Sequence, residues 1–208
     1  MLRPLAVIRS LSAAVLALSF CLLAPATVFP YAINFTQNTT GEVVKWPSSS
    51  VKYWLHPACS TDLNTANCLK ESRLSFQAWE GHACSTLKFI DSGTSSNKKL
   101  TSVGYGKNNK NEVAWIENGV WTYGKYVLGV TSPYFFTTGS QKGHIIEADI
   151  AMNGYMQTWS TSGKLNSTDV RNVLVHEVGH LFGLQHNLYP NPNNPETMAP
   201  SADPYMKS

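Results

Sequence analysis

Eleven residues constrain this chain more than any others: His176-Glu177-Val178-Gly179-His180-Leu181-Phe182-Gly183-Leu184-Gln185-His186. His176 and His180 stand four apart, so on a helix their rings leave the same face and can share one ion. Glu177 lies one residue on and can lean beside that ion without binding it. Gly183, three residues past His180, can take a positive φ and stop the helix sharply. The chain then turns back and brings His186 within reach as a third ligand. Three imidazole nitrogens leave the fourth position of a tetrahedral zinc ion open, the arrangement of catalytic rather than structural zinc. His-Glu-x-x-His alone arises by accident in many proteins. With the glycine and the third histidine fixed, the chance expectation from average residue usage falls to on the order of one in a hundred thousand.

The elements around this segment follow from periodicity and turn chemistry. Ser167-Thr168-Asp169 supplies an N-cap, which predicts a helix from Val170 to Leu181. Asn67 to Ala83 carries Leu69, Leu74, Phe76, Ala78, Trp79 and Ala83 at helical spacing and predicts an amphipathic helix. Strands are expected at Val51–Leu55, Leu87–Ile90, Val113–Ile116, Tyr126–Thr131 and Ile145–Ile150. An aromatic loop at Tyr134, Phe135 and Phe136 is expected between the last two. Residues 91 to 111, rich in Ser, Gly, Asn and Lys, read as exposed loop, and the Pro- and Asn-rich chain beyond Leu184 lacks regular periodicity. The order strand, helix, strands, helix, loop predicts a small α/β (α+β) domain with two main helices.

The chain has 208 residues, enough for one domain with a real core. Its formal net charge of +3 is small and forms no basic stripe, so no nucleic-acid partner is expected. Arg3 and Arg9, the apolar run Leu11 to Ala24, and the small residues of Ala24-Pro25-Ala26 read as a signal peptide over residues 1–26. Ala32 offers a later cleavage point. The run is short of the ~20 residues of a spanning helix, so no stable membrane insertion is expected once it is removed. Removal takes away two arginines and no acid, leaving 14 basic against 13 acidic residues, or +1. Export to an extracellular or periplasmic space permits disulfides, and Cys59 and Cys68 flank a short polar loop that suits one. Cys84 is then left over. Residues 27–45 read as a leader arm and 46–208 as the functional domain.

The zinc segment, followed by Glu196-Thr197-Met198-Ala199-Pro200, resembles the metzincin metallopeptidases, whose zinc helix precedes a methionine turn. The Met-x-Pro form is similar to the matrixin branch. The resemblance implies a mixed, twisted sheet of about five strands, an active-site helix, a backing helix and a C-terminal methionine-turn subdomain. It implies that Met198 is a platform beneath the ligands and not itself a ligand. Gly143 to Asn153, with Glu147-Ala148-Asp149-Ile150, resembles the edge strand that binds substrate backbone in matrixin-like bacterial enzymes. Trp46-Pro47 with Val51 and Tyr53 resembles their first strand. The resemblance spans roughly residues 46 to 204. Asn187 follows the third histidine where vertebrate matrixins usually carry Ser, and Pro200 stands where astacins and serralysins place a Tyr. Residues 27–45 hold no Cys, so a thiol switch on zinc is not expected. The family normally adds a helix after the methionine turn. This sequence ends ten residues past Met198, which leaves open a truncated domain and a lost partner for Cys84.

The expectation is a secreted, monomeric zinc metalloendopeptidase acting on proteins or peptides. His176, His180 and His186 hold one Zn2+, and Glu177 is the general base. Substrate is expected to lie extended along Ile145–Ile150. Two rivals stand beside it: a non-catalytic zinc-binding secreted module, and an astacin- or serralysin-like branch. A structural Zn2+ or Ca2+ of the vertebrate kind has no ligand pattern to place it here. His56, His82 and His144 read as surface or structural residues, and Trp115, Trp121 and the Tyr134–Phe136 cluster as core. Asn34, Asn38 and Asn166 open N-x-Thr sequons, which matter in a eukaryotic secretory pathway.

Overall fold

The computed structural model describes residues 32–37, 40–81, 85–95, 108–187 and 196–200. The expected signal peptide, His82, Cys84, Asn38, most of the serine-rich loop and the last residues lie outside that set. In chain order the elements are β1 (Ala32–Ile33), β2 (Phe35–Gln37), β3 (Thr40–Val43), β4 (Ser50–Leu55), α1 (Thr65–Gln77), β5 (Lys88–Thr94) and β6 (Glu112–Ile116). There follow β7 (Gly129–Phe135), β8 (Ile145–Asn153), β9 (Trp159–Ser160), β10 (Thr168–Asp169), α2 (Val170–Leu181) and β11 (Leu184–Gln185).

The main sheet has five strands in the order β5-β4-β6-β8-β7. β4, β5, β6 and β8 pair in parallel, and β7 joins antiparallel to β8. The strand sequences explain their places. β4 alternates, with Val51, Tyr53 and Leu55 pointing into the core. β6 is buried at every position, as a strand covered on both faces must be. One face carries α1 and α2, and the core there joins Tyr53, Leu55, Phe76, Ile150, Leu174 and Leu181. Tyr53 stacks on Phe76 with ring centroids 3.7 Å apart. On the other face Ile116 and Ala151 pack with Trp121. Trp115 sits in the main core edge-on to Trp159, so both tryptophans serve packing.

Four of the expected elements have ends shifted by more than one residue. α1 starts earlier than Asn67 because Asn64 caps it, accepting the Asn67 N–H at 3.2 Å. It stops at Gln77, and Trp79 turns its Nε1–H onto the Val175 carbonyl of α2 at 2.8 Å. β5 runs on to Thr94 and β8 to Asn153. β7 spans 129–135 rather than 126–131: Tyr126 is 92% exposed, while Pro133, Tyr134 and Phe135 belong to the strand. Pro133 is tolerated because β7 is an edge strand and can spare one N–H.

That topology corrects the expected substrate strand. β8 is an interior strand: β7 pairs with it from Ile145 to Met152, and its other edge is taken by the Lys45 carbonyl at Ile145, by the Asn111 side chain at Ala148 and by β6 from Ile150 onward. On this side of the sheet the edge strand is β7. Cys59 and Cys68 form the expected disulfide, tying the segment after β4 to α1, and Arg171 on α2 pairs with Glu71 on α1 at 2.5 Å.

Candidate metal centre

Asp169 starts α2 by accepting the Asn172 N–H at 3.0 Å. One helical turn then separates His176 from His180, and Gly183, at φ 102°, reverses the chain and returns His186 to them. The three Nε2 atoms form a triangle with sides of 3.1 Å. Their tautomers follow from the opposite ring nitrogens. His176 Nδ1 lies 2.7 Å from the Thr197 carbonyl, and His180 Nδ1 lies 2.8 Å from the Leu184 carbonyl. A carbonyl only accepts, so both Nδ1 atoms carry the proton and both Nε2 atoms present lone pairs. Lone pairs converging at this distance repel, and a cation between them turns the repulsion into binding. A triangle of that size lets all three nitrogens reach one ion at the Zn–N distance of about 2.0–2.1 Å. Burial pushes all three imidazole pKa values down, that of His180 to about 4, which keeps the rings in the neutral, ligating form.

Among the described residues the three histidines are the group whose ligand atoms lie within 4.8 Å of one another, and no second such group is found there. Glu112, Glu147 and Asp149 are buried near each other but do not make one. His56 bonds locally, its Nδ1 lying 3.1 Å from the Ala58 carbonyl, and His144 bridges to Lys45.

Glu177 is buried beside the triad, in the wall of a cavity of about 330 Å3 that His180 and His186 also line. Desolvation pushes its pKa up to about 7, and a hydrogen bond from Thr131 pulls the other way. Thr131 on β7 donates from Oγ1 to Glu177 Oε2 at 2.6 Å. Gly129, two residues earlier on β7, leaves the carboxylate its room: a Cβ there would stand 2.7 Å from Glu177 Oε1. Sequence reasoning assigned neither residue a part in the site. Thr131 is 46 residues from Glu177, and only the pairing of β7 beside α2 brings them together.

The methionine turn lies under the helix. Met198 is buried, and a Cβ at Gly179 would collide with its Sδ and stand 2.9 Å from Trp79 Cζ2. Asn187 donates its N–H to the Met198 carbonyl at 2.7 Å. Thr197 in the same turn orients His176.

Sheet, helix and histidine triangle define a class of zinc metallopeptidase in which one helix lends two ligands and the turn after it a third. Residues 45–201 match the family model described as matrixin, and the chain belongs to the matrixin family. Membership implies zinc as the metal and peptide bonds as the substrate class. Among curated proteins none matches the chain. The metzincin-type mixed sheet expected from the zinc motif is thereby shown.

Proposed function

We propose that the protein is a secreted endopeptidase with Glu177 as general base and His176, His180 and His186 as ligands of one catalytic zinc ion. The observation that carries this is the place of Glu177, a buried carboxylate in the same cavity wall as His180 and His186. Bound at the three histidines, zinc supplies a Lewis acid that lowers the pKa of water and offsets charge developing on a carbonyl oxygen. Thr131 holds Glu177 Oε2, which leaves Oε1 to take a proton from the attacking water and pass it to the leaving amine. Burial lifts the carboxyl toward the neutral range, which suits a group that must both accept and return a proton. The free edge of β7 offers its backbone to an extended peptide, and Gly129 and Thr131 place that edge beside Glu177.

Secretion is supported by the signal-like residues 1–26 and by a disulfide that suits an oxidising compartment. Among the described residues no helix is long and apolar enough to cross a membrane. Peptide-library cleavage with and without a chelator tests the peptidase assignment. Cleavage that the chelator stops and zinc restores is expected. A protein that binds one zinc ion and cleaves nothing would instead be a binding module.

A further inference from the structure

The arm ahead of the matrixin-matched residues is tied to the turn that carries the third histidine. β1 pairs antiparallel with β11, Ala32 opposite Gln185 and Ile33 opposite Leu184. The next residue, Asn34, donates its N–H to the Gly183 carbonyl at 3.3 Å and accepts the Val44 N–H at 2.8 Å. The β2–β3 pair lies between these two residues, so both legs of the arm meet at Asn34. Val44 sits so close to Gly183 that a Cβ on that glycine would stand 2.7 Å from the Val44 carbonyl oxygen. The turn between His180 and His186 is therefore covered by the arm.

Asn34 also lines the cavity that holds Glu177, His180 and His186, together with Gly129 and Thr131 of β7. Its N–H is taken by Gly183, so the hydrogen-bond donor it can offer a ligand in the cavity is its carboxamide. A carboxamide carries two N–H donors and one carbonyl acceptor, the complement of a peptide group. The cavity keeps about 330 Å3 with the arm in place, so the arm borders the cleft without filling it.

We infer that β1 and Asn34 form a second wall of the substrate cleft, β7 being the first, and that Asn34 is a specificity-determining residue that hydrogen-bonds the backbone of the bound peptide. The inference rests on the peptidase assignment for its ligand, and it places a functional residue outside the span of the family match at 45–201.

The test compares zinc-loaded protein with its Asn34→Ala and Asn34→Trp variants on a library of hexapeptides. Affinity for the same pooled hexapeptides is measured separately on each in a Glu177→Gln background. Asn34→Ala is expected to raise KM and Kd about threefold to tenfold, the loss of one hydrogen bond, with kcat and zinc content unchanged. Asn34→Trp is expected to change the residue preferred at one substrate position. Unchanged KM, Kd and cleavage profile in both variants overturns the wall. So does a kcat/KM that rises by one common factor for every peptide in Asn34→Ala, the behaviour of a plug. If the parent cleaves nothing while Kd still responds to Asn34, the wall stands and the peptidase assignment falls.

Discussion

Glu177 has no spare room on the side that faces β7. Its Oε1 lies where a side chain at Gly129 would begin, and its Oε2 is held by Thr131 at 2.6 Å. A base has to be placed to within a fraction of an ångström, and a 1 Å displacement can cost about 10²-fold in rate. Gly129→Ala is therefore expected to lower kcat by about 10²-fold while the three histidines keep their metal. Steady-state kinetics alongside zinc analysis checks this, and equal loss of zinc and rate would place the damage at the ligands instead. The histidines and Glu177 were legible in the sequence because their spacing is local: a single helix and one glycine turn bring all four together. Gly129, Thr131 and Asn34 were not. Each reaches the site through strand pairing, and a chain read one residue after another carries no mark of which strand will lie beside which helix.

Elements show the same division between local and distant causes. α2 was readable end to end, because Asp169 caps it and Gly183 follows its last turn. Losing the cap leaves the Asn172 N–H without its side-chain acceptor. Asp169→Ala is expected to destabilise the fold by about 1 kcal/mol, measured as a lower midpoint in urea unfolding. β7 differs at both ends from what its sequence suggests. Tyr126 and Val127 look like the start of a strand, and Pro133 looks like its end. The position of β7 at the sheet edge overrides the second signal, since an edge strand can carry a proline. The same fact moved the substrate strand from β8 to β7. An alternating apolar run shows that a strand is half or fully covered; it does not show which of its edges is paired.

At the scale of the molecule, the buried acids of β6 and β8 set a pH dependence separate from the metal. Asp149 is buried, accepts the Glu112 N–H through Oδ1 at 2.9 Å, and has no hydrogen-bond partner at Oδ2. Glu147, on the same strand, is likewise unpartnered at Oε1. Ser132 of β7 stands opposite Asp149 in the sheet, so no cation of that strand offsets the charge at this position. Desolvation pushes the Asp149 pKa up to about 7, with the charges of Glu147 and Glu112 adding to the rise and the Glu112 N–H opposing it. A carboxyl whose folded pKa is raised stabilises the fold fully below its unfolded pKa of about 4 and loses that contribution as pH rises toward 7. In chelator this group alone lowers stability between pH 4 and 7, on the order of a few kcal/mol, while the depressed imidazoles of His176, His180 and His186 act in the opposite sense, so its part is read as the difference between parent and variant. Asp149→Asn should remove that part of the slope. A variant whose pH slope matches the parent would show that Asp149 ionises normally in the fold.

In the proposed mechanism one zinc ion at His176, His180 and His186 works together with Glu177. It is tested most directly by measuring bound zinc and peptide hydrolysis in the parent and in Glu177→Gln. Near-isosteric replacement removes the base and spares the ligands. One zinc per chain in both proteins is expected, with hydrolysis by the variant lower by about 10²–10⁴-fold, the usual contribution of a general base. A Glu177→Gln protein that holds its zinc and cleaves at the parental rate would show that Glu177 is not the general base.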